Sequence, residues 1–435
     1  MFGTSGIRGP VGEEVAADLA LSVGRALAGG ADRVVVGRDA RESGTYLADA
    51  LAAGARECGA DVLRLGRAAT PTVARAVGWR DADAGAAITA SHNPPPDNGI
   101  KLWQPSGQAF DEPRRDRIEA RIREGSADLQ SWDGIGSERR WDRARERHVE
   151  AITTGRDPID LSVAVDLGNG VGGVTVDALL ELGCEVETLN AQPDGRFPGR
   201  PSEPTAEHCE SLQTLVGEGD ADLGIAHDGD ADRAMAVTED GAWIPGDVLL
   251  ALFARQAVDP GEDVAVPVDT SLAVADAVAD ADGTVTRTKV GDVFVAEQVS
   301  KEGVAFGGEP SGAWIWPGET LCPDGPLAAV RLATMIAEEG PLSSLAESIG
   351  TYPIRRASVE TAEKAAVMER IRERVRSAYD DVTTLDGVRV DLGDAWFLLR
   401  ASGTQPLVRV TAEAREEGRA DEAFELARGI VEDAI

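Results

Sequence analysis

The chain is poor in several residue types, and each shortage narrows what it can be. Aromatic residues make up only 4% of 435 residues, so cores must be built from Ala, Val, Leu and Ile, which the 43% hydrophobic content supplies. The four cysteines, Cys58, Cys184, Cys209 and Cys322, are scattered and include no CxxC pair. That spacing leaves no basis for a disulfide framework or a thiolate zinc site. No apolar run is long enough to span a bilayer. The N-terminus lacks a basic stretch followed by an apolar one, so a cytoplasmic protein is expected. Lysine is nearly missing: Lys101, Lys289, Lys301 and Lys364 stand alone among 43 basic residues.

What is present is acid. The 76 acidic residues give a net charge of −33, spread over the whole chain. Such a surface suits a cytoplasm of very high salt, where the Debye length falls to roughly 3 Å at 1 M and self-repulsion is muted. The same field repels nucleic acid and anionic membranes, so neither is expected as a partner. It repels anionic substrates too, so a phosphate site here requires concentrated local positive charge.

Short apolar strands alternate with Ala-rich helical stretches, the pattern of α/β units. Strands are expected at 33–37, 61–65, 85–90, 161–166, 184–189, 222–227, 263–268, 284–288, 303–307, 387–391, 395–400 and 407–411. Helices are expected at 13–29, 44–58, 113–124, 172–183, 205–217, 247–257, 326–339 and 361–379. Boundaries fall in the polar segment 125–160, near 245–262, and near 350–357 around Tyr352-Pro353. The expectation is four domains, 1–150, 151–250, 251–350 and 351–435. The first three are similar α/β domains with mixed sheets; the last is a smaller α+β domain.

Four polar loops each follow a strand, where ligands of α/β folds collect. Thr89-Ala90-Ser91-His92-Asn93 opens a proline-braced loop with an exposed hydroxyl nucleophile, which needs a base or metal to activate it. The loop ends at Lys101, a lysine in a chain that otherwise uses Arg, and lysine can be tuned to move protons. Asp228-Gly229-Asp230-Ala231-Asp232-Arg233 carries three carboxylates at alternate positions, oxygen ligands suited to Mg²⁺. An EF-hand is rejected, because Arg233 stands where its loop needs Gly and the flanks read as strands. Gly307-Gly308-Glu309-Pro310-Ser311-Gly312 allows close backbone approach, with Glu309 and Ser311 available to sugar hydroxyls. Arg400-Ala401-Ser402-Gly403-Thr404-Gln405-Pro406 offers a phosphate cradle. A competing pattern, Gly168-Asn169-Gly170-Val171-Gly172-Gly173, matches GxGxxG with Glu187 ending the next strand, and keeps an NAD-dependent dehydrogenase as a distant alternative.

Together these loops, in this order, resemble the α-D-phosphohexomutases over essentially the full length. Phe2-Gly3-Thr4-Ser5-Gly6-Ile7-Arg8-Gly9 is similar to the family's N-terminal phosphate-binding segment, and Gly37-Arg38-Asp39-Ala40-Arg41 and Thr70-Pro71-Thr72 also match its first domain. The resemblance implies domains around a central cleft and an isomerase exchanging hexose 1- and 6-phosphates. It implies a phosphorylated Ser91, Lys101 as acid/base, His92 and Arg8 beside the phosphoryl group, and a metal site of Ser91, Asp228, Asp230 and Asp232. The implied substrate-binding set is Arg233, Asp292, Glu309, Ser311, Arg400, Ser402, Gly403, Thr404 and Arg409. The implied cofactors are Mg²⁺ and a 1,6-bisphosphosugar primer; the partner is a small phosphosugar, and the enzyme a monomer or homodimer. The cluster Arg8, Arg41, Lys101, Arg233 and Arg400 is expected to supply the positive charge. Two loops depart from the family pattern: Ala313 stands where the sugar loop usually has His, and Gln405 and Ala401 replace a Glu and a Pro of the phosphate loop. Glu309–Gly312 followed by Trp314-Ile315-Trp316 is most similar to archaeal phosphoglucosamine mutases; phosphomannomutase and phosphoglucomutase are the alternatives.

Overall fold

The computed structural model describes residues 2–3, 6–125, 127–402 and 406–435. The first sheet holds β1 (Ile7–Pro10), β2 (Arg33–Arg38), β3 (Asp61–Arg67), β4 (Ala84–Ile88), β5 (Asp97–Trp103) and β6 (Glu138–Arg140), in the order β1-β5-β4-β2-β3-β6. Around it lie α1 (Ala17–Ala28), α2 (Gly44–Glu57), α3 (Thr70–Trp79), α4 (Glu112–Glu124) and α5 (Ala144–Thr153). The second sheet is β10-β9-β7-β8, from β7 (Ser162–Asp166), β8 (Glu185–Leu189), β9 (Leu223–His227) and β10 (Ala234–Thr238), with α6 (Gly173–Glu181) and α7 (Glu210–Glu218). The third is β12-β11-β13-β14, from β11 (Asp263–Pro267), β12 (Thr284–Thr288), β13 (Val304–Glu309) and β14 (Ala313–Ile315). Its helices are α8 (Gly246–Ala257), α9 (Leu272–Ala279), α10 (Asp292–Val299), α11 (Gly325–Glu339) and α12 (Leu342–Glu347).

One arrangement recurs in all three sheets. Its first strand (β2, β7, β11) lies between the second and third and runs parallel to both, and the fourth returns antiparallel to the third. The candidate loops occupy the same place in each copy, between third and fourth strands: 89–96 after β4, 228–233 after β9, and 310–312 after β13. The strands that lead into them are buried along nearly their whole length, so apart from His227 and Glu309 at the ends of β9 and β13 every side chain is apolar or small, and each loop starts from a rigid base.

The fourth sheet is antiparallel throughout, ordered β15-β19-β18-β17-β16. It comprises β15 (Ile354–Glu360), β16 (Val382–Thr383), β17 (Val388–Asp391), β18 (Ala395–Ala401) and β19 (Leu407–Ala414), backed by α13 (Lys364–Ala378) and α14 (Glu417–Glu432). It docks on the third sheet's segment through Glu413. That buried carboxylate accepts from Ser271 Oγ (2.6 Å), the Leu272 amide (2.7 Å) at the start of α9, and Trp396 Nε1 (2.7 Å). Arg389 adds a bond to the Val268 carbonyl at 2.5 Å. Among the described residues no helix is long and apolar enough to cross a membrane.

Several elements differ from expectation. The segment 125–160 contributes the edge strand β6, paired in parallel with β3, and α5. His148 of α5 joins Thr72 (2.8 Å) to Asp324 (3.0 Å), which also holds Arg75 (2.7 Å). The boundary expected at 245–262 is largely α8, buried on most of its surface in one core that runs continuously from the second sheet to the third. The helix expected from residue 13 starts at Ala17, because Gly12 at φ 88° turns the chain and Val11 bridges Val15.

Candidate active site

After Ile88 the chain turns sharply, and Ser91 adopts φ 50°. This left-handed conformation costs a non-glycine residue on the order of 1–3 kcal/mol and persists only where the surroundings enforce it. Arg41 is the main enforcer. It is 1% exposed, and its Nε donates to Asp39 at 3.0 Å. Its two Nη atoms donate to the carbonyls of Ser91 (2.9 Å), Asn93 (2.6 Å), Pro94 (2.7 Å) and Asp97 (2.9 Å). Ser202 Oγ donates to the Ser91 carbonyl from the other side at 3.0 Å. Gly229 is required for this approach, since a Cβ there would lie 3.1 Å from the Ser91 carbonyl oxygen and 2.8 Å from Ser202 Oγ.

So held, Ser91 Oγ donates to Asp228 Oδ2 at 2.6 Å, with His92 Nδ1 at 3.2 Å. Burial and the cations Arg233, Arg8 and Lys101 push His92 down to about 2, so its imidazole stays neutral. Asp228, Asp230 and Asp232 are buried, with carboxylate oxygens all within 4.8 Å of one another. Their electrostatics are lopsided. Burial, then Asp232 and Asp230, push Asp228 well above the ordinary carboxylate range. Burial acts on Asp230 in the same sense, but Lys101 and the Thr70 hydroxyl (2.6 Å) outweigh it and hold Asp230 below that range. Lys101 Nζ binds Asp230 (3.2 Å) and Asp232. Although burial disfavours its charge, those two carboxylates keep it a firm ammonium. The residues fit a hard divalent cation: all donors are carboxylate oxygens, and Asp230 Oδ1 is buried without a hydrogen-bond partner among the described residues.

Ser91 and Asp232 open into a cavity of about 360 Å³ walled by all four segments. Arg8, Ser91 and Lys101 come from the first, Asp232 and Arg233 from the second, Asp269, Asp292, Glu309 and Ser311 from the third, and Arg356 from the fourth. Arg8 Nε is buried with no partner among the described residues, poised for an anionic ligand. The metal loop and the sugar loop are stitched together: the Ala234 amide donates to the Gly312 carbonyl (3.0 Å) and Trp314 Nε1 to the Ala234 carbonyl (2.8 Å).

Of the expected cations, Arg8, Lys101 and Arg233 line this cavity, while Arg41 and Arg400 do not. Arg41 is no part of it; its guanidinium is consumed by Asp39 and four carbonyls behind the loop. Asp247, Asp269, Asp292 and Glu309 line it beside those cations. Burial pushes Asp247 up to about 6, and burial together with Asp292 pushes Glu309 up to about 7. Asp269 and Asp292 are raised for the same first reason. Asp247, Asp269 and Arg356 carry no sequence signal: the first two are single acids in a chain full of them, and Arg356 follows Arg355 inside β15.

Among the phosphate-loop residues, Gly403 and Thr404 lie outside the described residues. Arg400, on β18, pairs with Asp386 at 3.0 Å and draws Asp269 electrostatically. Ser402 is buried, its carbonyl bound by Lys364 at 2.5 Å. Arg409 is not among the residues lining the cavity, but it stands exposed on β19 directly opposite Arg400 of β18, on the same sheet face as Arg356. The GxGxxG turn is filled by protein. A Cβ at Gly168 would strike Arg200, at Gly170 the Gly229 backbone, and at Gly173 Arg145. Its amides are bonded to Asp166, the Asn190 carbonyl, the Leu167 carbonyl and the Gly229 carbonyl, which leaves no cradle for a pyrophosphate.

Comparison with known proteins agrees with this geometry. Residues 1–128, 144–241, 245–352 and 355–428 match, in turn, domains I, II and III and the C-terminal domain of phosphoglucomutase/phosphomannomutase. A probable phosphoglucosamine mutase of Methanopyrus kandleri is 46% identical over 99% of this chain and 98% of its own. The chain belongs to the phosphoglucomutase/phosphomannomutase family. As a phosphohexomutase it is an isomerase. A further relative, from Methanococcoides burtonii and also a probable phosphoglucosamine mutase, is 43% identical over 100% of this chain and 99% of its own. A solved phosphoglucomutase/phosphomannomutase family protein of Burkholderia thailandensis superposes with a TM-score of 0.89 at 29% identity, covering 100% of this chain and 98% of that one.

Proposed function

We propose that this phosphohexomutase interconverts glucosamine 6-phosphate and glucosamine 1-phosphate through phosphorylated Ser91 and a glucosamine 1,6-bisphosphate intermediate. The observation that carries the reading is the cleft itself, which sets Ser91 Oγ on a carboxylate triad at one end and surrounds the sugar position with carboxylates. Asp247, Asp269, Asp292 and Glu309 are a poor lining for a neutral hexose bearing only phosphate, and a good one for a sugar that also carries an ammonium at C2. The names of the archaeal relatives point the same way.

Ser91 gives its phosphoryl group to a hydroxyl of the bound sugar phosphate; the P–Oγ bond breaks as the bond to the sugar oxygen forms, and Lys101 is placed to move the hydroxyl proton. The bisphosphosugar turns over in the cleft and returns its other phosphate to Ser91. Arg8, neutral His92 and Arg233 surround the transferring group, while Arg400 with Ser402, Gly403 and Thr404 holds the phosphate at rest. Arg409, directly across the ladder from Arg400, serves the same phosphate. Glu309 and Ser311 bind hydroxyls shared by both sugar orientations. Asp228, Asp230 and Asp232, with Ser91, would hold Mg²⁺, which supplies charge neutralisation for the phosphoryl oxygens and loosens the grip of two carboxylates on the Lys101 proton. The enzyme works in a salt-rich cytoplasm as a monomer or homodimer.

The test is a substrate panel in concentrated KCl with Mg²⁺ and a trace of bisphosphosugar, followed by phosphorus NMR. Glucosamine 1-phosphate should isomerise well ahead of the glucose and mannose 1-phosphates. Comparable rates on all three would replace the glucosamine assignment with a general hexose mutase. S91A should lose turnover yet still bind phosphosugar; retained turnover removes Ser91 from the mechanism.

A further inference from the structure

Away from the cleft, one groove carries charge opposite to the rest of the molecule. It encloses about 530 Å³ between α2, the ends of β2 and β3, and the edge strand β6, and shares no lining residue with the active cleft. Its lining holds five arginines, Arg38, Arg56, Arg64, Arg139 and Arg140, against two carboxylates, Asp49 and Glu138. In a chain with 76 acidic and 43 basic residues, a surface groove drawn without selection would be acidic.

The two carboxylates do not satisfy the arginines. Arg64 takes Asp49 at 2.7 Å and shares Glu138 (3.4 Å) with Arg56 (3.3 Å). Arg140 turns aside to Asp142. Arg38 and Arg139 form no ion pair among the described residues. Arg38 is half-buried, and its Nη1 donates to the Asp39 carbonyl at 3.0 Å. Burial and the neighbouring Arg67 push it below its ordinary value. A guanidinium kept where burial and a like charge both oppose it is stabilised when an anion arrives.

We propose that this groove is a second anion site, taking a small phosphorylated molecule with Arg38 at the inner end and Arg139 and Arg140 at the rim. The guanidinium forks suit the paired oxygens of a phosphate, and the volume accommodates more than one phosphate group. The site is independent of the substrate assigned to the cleft.

The probe is pyrophosphate, titrated calorimetrically into magnesium-free full-length protein in concentrated KCl. Wild type, R38Q and the R139Q/R140Q double variant are compared. The wild type should bind one more pyrophosphate per chain than either variant, or bind it at least about tenfold more tightly, as expected from loss of charge-assisted hydrogen bonds. Equal stoichiometry and affinity in all three overturns the proposal. R139Q/R140Q alters only exposed side chains, so it decides the matter alone if R38Q fails to fold. Its turnover of phosphosugar should equal that of the wild type.

Discussion

Replacing Arg41 by lysine tests how the Ser91 loop is held. R41K keeps a positive charge beside Asp39, so no buried carboxylate is stranded, but it removes the planar fork. Five hydrogen bonds leave the Arg41 side chain. An ammonium has only three donors, all at one point, so with one kept for Asp39 at least two of the carbonyls of Ser91, Asn93, Pro94 and Asp97 lose their guanidinium bond, although Ser91 keeps Ser202 Oγ and Pro94 keeps the Asp97 amide. At about 1.5–3 kcal/mol for each hydrogen bond to a charged group, the loss of two is roughly 3–6 kcal/mol. The left-handed backbone at Ser91 stores about 1–3 kcal/mol, so the loop can relax and carry Oγ away from Asp228. A loss of about 2.7 kcal/mol in the productive geometry corresponds to a kcat lower by about 100-fold. The phosphosugar is held by other loops, so KM should move by less than about threefold. Steady-state kinetics and scanning calorimetry on R41K read both quantities. A kcat within threefold of wild type would refute the claim that Arg41 sets the Ser91 geometry.

Three further outcomes are expected. Glu309 sits near 7 when folded against 4.5 when free. The folded state therefore holds its proton more tightly, and the stability this confers is full below pH 4.5 and lost as pH rises through 7. Thermal unfolding of the ligand-free enzyme should show a loss on the order of 3 kcal/mol over that window that E309Q does not show; parallel curves would refute it. T70V removes the 2.6 Å bond to Asp230 and should weaken Mg²⁺ binding by about tenfold or more, read by calorimetry as well as by activity; unchanged affinity would show that Lys101 alone orients the carboxylate. D269N should lower kcat/KM for glucosamine 1-phosphate more than for glucose 1-phosphate, and an equal loss on both would deny Asp269 any contact with the amine.

How much of this is legible in the sequence depends on what each element buries. β4, β9 and β13 stand out because they are apolar or small along almost their whole length and end abruptly in polar loops. The family membership follows from those loops taken in order. β6 is invisible: Glu138-Arg139-Arg140 is charged and exposed, and only backbone pairing to β3 makes it a strand. α10 is too short to show a helical period: in Asp292–Val299 Val295, Ala296 and Val299 pack into the third sheet's core, while Glu297 and Gln298 stay partly exposed. Arg41 shows the limit at the site. Its motif reads as a source of positive charge for substrate, whereas the fold turns the guanidinium inward. Asp247 and Asp269 are two acids among 76, and only the sheet ends bring them to the cleft.

Ser91 is 1% exposed, and it opens on the cleft. A protein kinase reads its target as an extended segment, and this segment is pinned at four carbonyls, out of reach of such a partner. On the proposed mechanism, the phosphoryl group therefore reaches Ser91 only from a molecule small enough to enter where the sugar enters. A newly made chain would be silent until it met a bisphosphorylated sugar, and from then on each turnover would hand the group to the next. The working fraction of the enzyme is thus a record of what has already passed through it, and the supply of bisphosphosugar governs how quickly fresh chains come into service.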